Sequence, residues 1–286
     1  MTPLRKRFIN LLEAKGFAKS TIGIYVAALA KISAFHNKSP LLFTEDDVRA
    51  YLLHKMKVEM LKPKTVNLYR CALLTFYRFV APEITIMKRI ERIKIPHTLP
   101  VVLSREEVEA MLGTIKNLKH KAAMAVLYSA GLRVSECVSL RISDIDSDRM
   151  AVRVESGKGK KDRYTVLSHR ALDLLRAYYR VYAPKHWLFP GQKQGSHLNR
   201  LTIERIVKRA ARNAGISKHV HNHTLRHSFA THLLEAGVQL QVIQQFLGHA
   251  HVRTTTMYTQ VTSVMLKSTK SPLDMAIAPA EEVAHA

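Results

Sequence analysis

The sequence predicts a mainly α protein with one small β-sheet, divided into two domains. Three observations carry that expectation. Residues 1–95 space their apolar side chains at helical intervals and show no convincing strand. Beyond them helices resume, interrupted once by two short β-rich runs around a Gly- and Lys-rich tip. Between the two parts, Ile95-Pro96-His97-Thr98-Leu99-Pro100 carries two prolines, which favours an extended connector over a helix. A chain of 286 residues is also longer than one core usually needs. The expected division is a helical domain at 1–95, a linker at 96–103 and a second domain at 104–286.

In the first domain, Thr2-Pro3 is a good helix start, with Thr as cap and Pro in the first turn, and Gly16 ends that segment. Ser20 is placed to cap a second helix with Ile22, Val26, Leu29 and Ile32 on one side. Thr44 caps a third, and Glu45, Asp46 and Asp47 suit the positive end of its dipole. A fourth begins near Lys64 and spaces Val66, Tyr69, Leu73, Phe76, Tyr77 and Val80 as a core-facing stripe.

The second domain opens on Ser104-Arg-Glu-Glu107, a capping-box pattern, and a helix that stops at Gly113. A buried helix is expected from about Lys119 to Ala130. Met150–Glu155 and Arg163–Leu167 then read as a hairpin whose tip is Ser156-Gly-Lys-Gly-Lys-Lys-Asp162. Four more helices are expected at Ser168–Tyr182, about Thr202–Asn213, Thr224–Ala236 and Leu240–Leu247. Gly215, Gly237 and Gly248 are their natural stops.

Charge narrows the function. Lys and Arg number 45 against 22 Asp and Glu, for a net charge of +23. Residues 1–95 hold 18 basic and 7 acidic side chains, about half of that excess, so both domains are basic. Such a balance points to a polyanionic partner, because neutralising phosphates releases counterions. Two cysteines, Cys71 and Cys137, give no disulfide framework. The apolar stretch Ala122–Leu132 is shorter than the roughly 20 residues that span a bilayer. A soluble cytoplasmic protein without membrane contact is expected.

The chemistry-bearing residues come in order along the second domain. Gly131-Leu-Arg133-Val-Ser-Glu136 is followed by Gly157-Lys158-Gly159-Lys160-Lys161, then His223-Thr-Leu-Arg226, Leu247-Gly248-His249 and, nine residues on, Tyr258. His223 and Arg226 stand three apart at a helix start, so they share one face, and the helix N-terminus adds its own positive field for an anion. Taken singly, each residue has a plainer reading: Arg133 as a surface ion-pair partner, the lysines as a solvated charge run, Tyr258 as an ordinary half-buried tyrosine.

All five motifs in this order resemble the tyrosine recombinase, or phage integrase, family, and in particular its Xer-like two-domain members. The resemblance covers nearly the whole chain. It implies a SAM-like helical core-binding domain and a recombinase catalytic domain that close on duplex DNA as a C-shaped clamp. It implies Tyr258 as nucleophile, Arg133 and Arg226 on the non-bridging phosphate oxygens, His223 and His249 as phosphate-holding groups that assist proton transfer, and Lys158 as general acid. Glu136 is expected to orient the arginines, and Lys160, Lys161 and Arg163 to meet DNA. These residue types fit the reaction. A phenol with a reference pKa near 10 needs cations to act as a nucleophile, and planar guanidinium forks match a negatively charged phosphoryl transition state.

The implied product is a 3′-phosphotyrosyl bond and a free 5′ hydroxyl, with neither ATP nor a metal ion required; no cofactor is expected, and no Walker-type phosphate loop occurs. His219, His221 and His223 lie on one side of an extended segment, a workable zinc geometry, but with no Cys or carboxylate close by no metal site is assigned. His227 and His232 read as structural. The implied partners are a double-stranded recombination site and further recombinase subunits, a tetramer in the synapse, with an exchange tail from about 267. The segment Lys267-Ser-Thr-Lys-Ser-Pro-Leu-Asp departs from the expected Xer C-terminal pattern, which tilts the role towards a mobile element over Xer-like resolution. The alternatives are a non-cleaving architectural DNA-binding protein on the same fold, or a type IB topoisomerase-like enzyme.

Overall fold

A computed structural model describes residues 2–96, 100–155 and 162–248 of the chain. It divides into two compact units, Met1–His97 and Thr98–Ala286.

The first unit is built from four helices, α1 (Pro3–Ala14), α2 (Lys19–His36), α3 (Glu45–Lys57) and α4 (Pro63–Val80), with short 3-10 turns at Pro40–Leu42 and Ile86–Arg89. Thr2 caps α1 by accepting the Arg5 N–H at 3.3 Å. Thr44 and Asp47 cap α3 reciprocally, the Thr44 hydroxyl accepting the Asp47 N–H at 3.2 Å and the Asp47 carboxylate accepting the Thr44 N–H at 2.9 Å. Ser20 does not cap α2. The helix is already under way there, since the Ala18 carbonyl accepts the Ile22 N–H at 3.0 Å.

Phe8, Leu12, Ile32, Val48, Leu73 and Phe76 meet in the core of this unit, with the Phe8 and Phe76 rings edge to face at 5.4 Å. Tyr69 and Tyr77 of α4 are buried with them, as their spacing predicts. The chain after α4 is tied back to it. Asn67 donates to the Ile93 carbonyl at 2.9 Å and accepts its N–H at 3.0 Å, and Arg70 donates to the Ile90 carbonyl at 2.7 Å.

The second unit contains α5 (Arg105–Gly113), α6 (Leu118–Ser129), α7 (Val134–Val138), α8 (His169–Tyr182), α9 (Arg200–Asn213), α10 (Asn222–Glu235) and α11 (Leu240–Leu247), with a 3-10 turn at Ile142–Asp144. Six successive residues of α6, Ala122–Leu127, are buried, which makes it the central helix, packed against α7, α8, α9 and α10. Its small alanines let neighbouring helices approach closely, while α8 and α9 each bury one apolar stripe. Leu103, expected at the end of the linker, is instead fully buried in this unit, and its N–H donates to the Ser228 hydroxyl of α10 at 2.9 Å.

The sheet has three antiparallel strands in the order β1 (Ile145–Asp146), β2 (Ala151–Val154) and β3 (Arg163–Val166), with Val152 opposite Thr165 and Val154 opposite Arg163. The sequence predicts the β2–β3 hairpin but not β1, which is two residues long and carries no alternation to read. The short helix α7, formed within the Arg-Val-Ser-Glu motif, is likewise new. Among the described residues, no helix is long and apolar enough to cross a membrane.

Candidate active site

The site begins at the turn after α6. Gly131 takes φ +59°, and a Cβ there would lie 2.3 Å from Cδ1 of Phe229 on α10, so only glycine fits both the backbone and the space. The turn releases Arg133 at the start of α7 with Glu136 one turn ahead. The two residues close on each other: the Arg133 N–H donates to Glu136 Oε2 at 2.8 Å and its Nη1 to Oε1 at 2.7 Å.

β3 brings a second guanidinium to the same carboxylate. Arg163 donates Nη1 to Glu136 Oε1 at 3.0 Å and Nη2 to Oε2 at 2.8 Å, a bidentate fork. α10 brings the third. Arg226 is 3% exposed, its Nη1 lies 3.7 Å from Glu136 Oε2, and the same nitrogen donates to the Gly131 carbonyl at 2.7 Å. Burial pushes the Glu136 carboxyl upward, but the Arg163 hydrogen bond, the Arg133 N–H and the neighbouring positive charge outweigh it and hold the group at about 2.

These arginines also cap α11. The last turn of a helix leaves its carbonyls without intrahelical partners and carries the negative end of the dipole. Here three successive carbonyls are met by three arginines. Phe246 O accepts from Arg163 Nε at 2.8 Å, Leu247 O from Arg226 Nη2 at 2.5 Å, and Gly248 O from Arg133 Nη2 in a longer 3.4 Å contact. Gly248 ends the helix at φ +61°, and a Cβ on it would meet Arg163 Cδ at 2.8 Å. Strand, turn and two helices therefore converge on one carboxylate and one helix end.

α10 is a helix with a polar interior. Thr224, Arg226, Ser228, Thr231 and His232 are all buried along it. Ser228 donates to the Thr224 carbonyl at 2.9 Å while accepting from Leu103, and His232 Nδ1 lies 2.8 Å from the Tyr128 hydroxyl. His223 stands exposed on the first turn, one turn before Arg226, with its ring 6.1 Å from His221 and 6.4 Å from His227. His227 is pushed down to about 4 by burial, reinforced by the charges of His223, His221 and Arg226. Among the described residues, no group of three or more His, Cys, Asp or Glu side chains is arranged to hold a metal ion. His219, His221 and His223 follow one another with ring centroids 5.9 and 6.1 Å apart.

Of the residues that the sequence singles out, Arg133, Glu136 and Arg226 converge, and His223 lies on the helix that carries Arg226. Lys158, Lys160, Lys161, His249, Tyr258 and the tail from about 267 lie outside the described residues. Arg163, expected to meet DNA, turns inward here with its side chain 10% exposed and its guanidinium on Glu136 and Phe246. The signal for this is the strand period. Residues two apart share a face, and Arg163 shares one with Thr165, which is buried and donates to the Ala130 carbonyl at 2.9 Å.

The phage integrase family model matches residues 101–264, a span that holds the whole arginine–glutamate cluster. The chain belongs to the phage integrase family. A second model, the phage integrase N-terminal SAM-like domain, matches residues 4–84 of this integrase-family chain, the four-helix unit. The chain is 37% identical to a putative integrase/recombinase, y4qK, of Sinorhizobium fredii over 98% of its own length and 91% of that protein. It is 33% identical to the tyrosine recombinase XerA of Pyrococcus horikoshii, covering 92% of this chain and 90% of the relative. Among solved structures it is similar to the XerH site-specific recombinase bound to palindromic difH substrate in a post-cleavage complex. There the TM-score is 0.71 and the identity 25%, over 86% of this chain and 78% of that one.

Proposed function

We propose that this chain is a site-specific DNA recombinase that cuts and rejoins duplex DNA through a 3′-phosphotyrosyl bond to Tyr258. The observation that carries the reading is the placement of Arg133 and Arg226 on one carboxylate, Glu136, at the end of the helix that leads into His249 and Tyr258. Family membership and the DNA-bound XerH similarity support it.

In this reading Arg133 and Arg226 hold the two non-bridging oxygens of the scissile phosphate. Arg133, with its side chain 31% exposed, is open to a ligand from solvent. Glu136 keeps the guanidinium groups in register and offsets their mutual repulsion. His223, exposed one turn before Arg226, and His249 hold the phosphate and assist proton transfer. The Tyr258 oxygen attacks phosphorus, the bond to the 5′ oxygen breaks, and Lys158 protonates that oxygen as it leaves. A 5′ hydroxyl from the partner duplex reverses the step. Fixed cations supply the charge stabilisation, so the reaction runs without ATP or a divalent metal. Lys160 and Lys161 meet the DNA backbone beside Lys158. The synapse is a tetramer of this chain, alone or with a related subunit, acting in the cytoplasm. The departure of Lys267–Asp274 from the Xer pattern supports service to a mobile element.

The test is covalent trapping. Wild type and Tyr258→Phe are mixed with nicked duplexes from the gene's flanking DNA, with EDTA present, and run on denaturing gels. A protein–DNA band in wild type alone is expected. Tight binding with no band on any flank favours a non-cleaving DNA-binding protein, and relaxation of supercoils on DNA lacking a site favours a topoisomerase-like enzyme.

A further inference from the structure

Arg163 touches each part of the cluster that must keep its place. It grips both oxygens of Glu136, donates to the Phe246 carbonyl in the last turn of α11, and packs its aliphatic stem against Gly248. It stands at the foot of β3, directly after Asp162, which pairs with Arg153 at 2.9 Å on the neighbouring strand. One side chain thus joins the strand that follows the lysine-rich tip, the carboxylate under Arg133 and Arg226, and the helix end that leads to His249.

We propose that Arg163 is a positioning residue that locks Glu136 and the end of α11 together, and so sets the geometry of Arg133 and Arg226 for cleavage without contacting DNA itself. The inference rests on the recombinase reading of the site. Three features of the geometry require an arginine. The bidentate grip needs a planar fork, the Phe246 bond needs a third donor, Nε, in the same plane, and the close packing under Gly248 needs a flat group. Lysine offers a single ammonium and can serve one of these partners well, not all three.

The experiment compares wild type, Arg163→Ala and Arg163→Lys in the full chain by three readouts. These are affinity for flanking-site duplex across a salt series, the single-turnover rate of covalent complex formation at saturating DNA, and backbone hydrogen exchange without DNA. Both variants are expected to bind within about twofold of wild type with an unchanged salt slope, since no phosphate contact is lost. The single-turnover rate should fall by about 10- to 100-fold in Arg163→Ala, the range seen when an orienting partner is removed. Arg163→Lys should recover part of it. Exchange should quicken at Val134–Val138 and Ile243–Gly248 and nowhere distant. A salt slope shallower by about one, with affinity lost in step, would identify Arg163 as a DNA contact and overturn the proposal. So would an unchanged rate, or a rate fully restored by cooling in proportion to the refolded fraction. If wild type forms no covalent complex on any site, the recombinase reading fails separately. The exchange pattern then still decides whether Arg163 holds the cluster: no change at those two segments rejects it.

Discussion

Arg163 and Glu136 meet as a two-point fork, Nη1 to Oε1 at 3.0 Å and Nη2 to Oε2 at 2.8 Å, across 27 residues of sequence. The contact lets three guanidinium groups share one small volume. Arg133 and Arg226 face the same carboxylate at 2.7 and 3.7 Å. Without it, charges brought together for catalysis would repel one another in a partly buried place, where that repulsion is felt more strongly than in water.

Removing the carboxylate should therefore cost both stability and rate. Glu136→Gln keeps the shape and deletes the charge. Breaking one partner out of a largely buried ion pair is expected to destabilise the fold by about 3 kcal/mol. Urea titration reads the loss, and covalent complex formation should fall by more than DNA affinity does. A variant as stable and as fast as wild type would remove Glu136 from this role.

The same group fixes an acid limb. Its folded value is about 2 against an ordinary 4.5, so between those values the unfolded chain binds a proton that the folded chain does not. The stability that ionised Glu136 confers is complete above pH 4.5 and is lost as pH falls towards 2. The gap in urea midpoint between wild type and Glu136→Gln should be flat above that window and narrow within it. A gap that stays constant on acidification would contradict the assignment.

His227 acts in a different window. Its folded value is about 4 against 6.5, so as pH falls from 6.5 to 4 the unfolded chain takes up a proton that the folded chain refuses, and stability declines. His227→Gln should flatten the decline of melting temperature over that range and leave the curve above it unchanged in shape. An equal slope in both proteins would show that His227 is not held neutral by burial.

Two glycines hold the cluster's backbone. Gly131→Ala combines a left-handed φ of +59° with a Cβ 2.3 Å from the Phe229 ring, and should destabilise by about 3 kcal/mol from strain and overpacking together. Gly248→Ala meets Arg163 Cδ at the longer 2.8 Å instead of a buried ring, so about 1–2 kcal/mol is expected, most of it backbone strain. Thermal or urea unfolding checks the order: Gly248→Ala costing more than Gly131→Ala would reverse the account of the two turns.

Much of this arrangement was legible in the chain. Capping signals at Thr2, Thr44 and Ser104 mark helix starts because a hydroxyl accepts a specific N–H two or three residues on, a local event. The link between Glu136 and the arginines comes from the family resemblance and not from spacing, and the structure supplies its geometry. β1 was not legible, because a two-residue strand is defined by its partner and carries no pattern of its own. The inward turn of Arg163 is not legible, because its neighbours, Lys160, Lys161 and Asp162, make the segment read as solvated, while its burial depends on Glu136 and Phe246, 27 and 83 residues away. The parity with Thr165 was the available signal. Leu103 reads as linker because it lies between the prolines and the Ser104 cap, and its anchor, Ser228, is 125 residues downstream.

The most direct test of the account is to find the atom that carries the DNA. Wild-type protein trapped on a nicked duplex is digested with nuclease and protease, and the nucleotide-bearing peptide is sequenced by mass spectrometry. The account predicts a 3′-phosphonucleotide on Tyr258, formed in EDTA and lost in Arg226→Lys, which keeps the charge but not the fork. An adduct on any other residue, or strand cleavage that leaves no covalent adduct and requires a divalent ion, would contradict it.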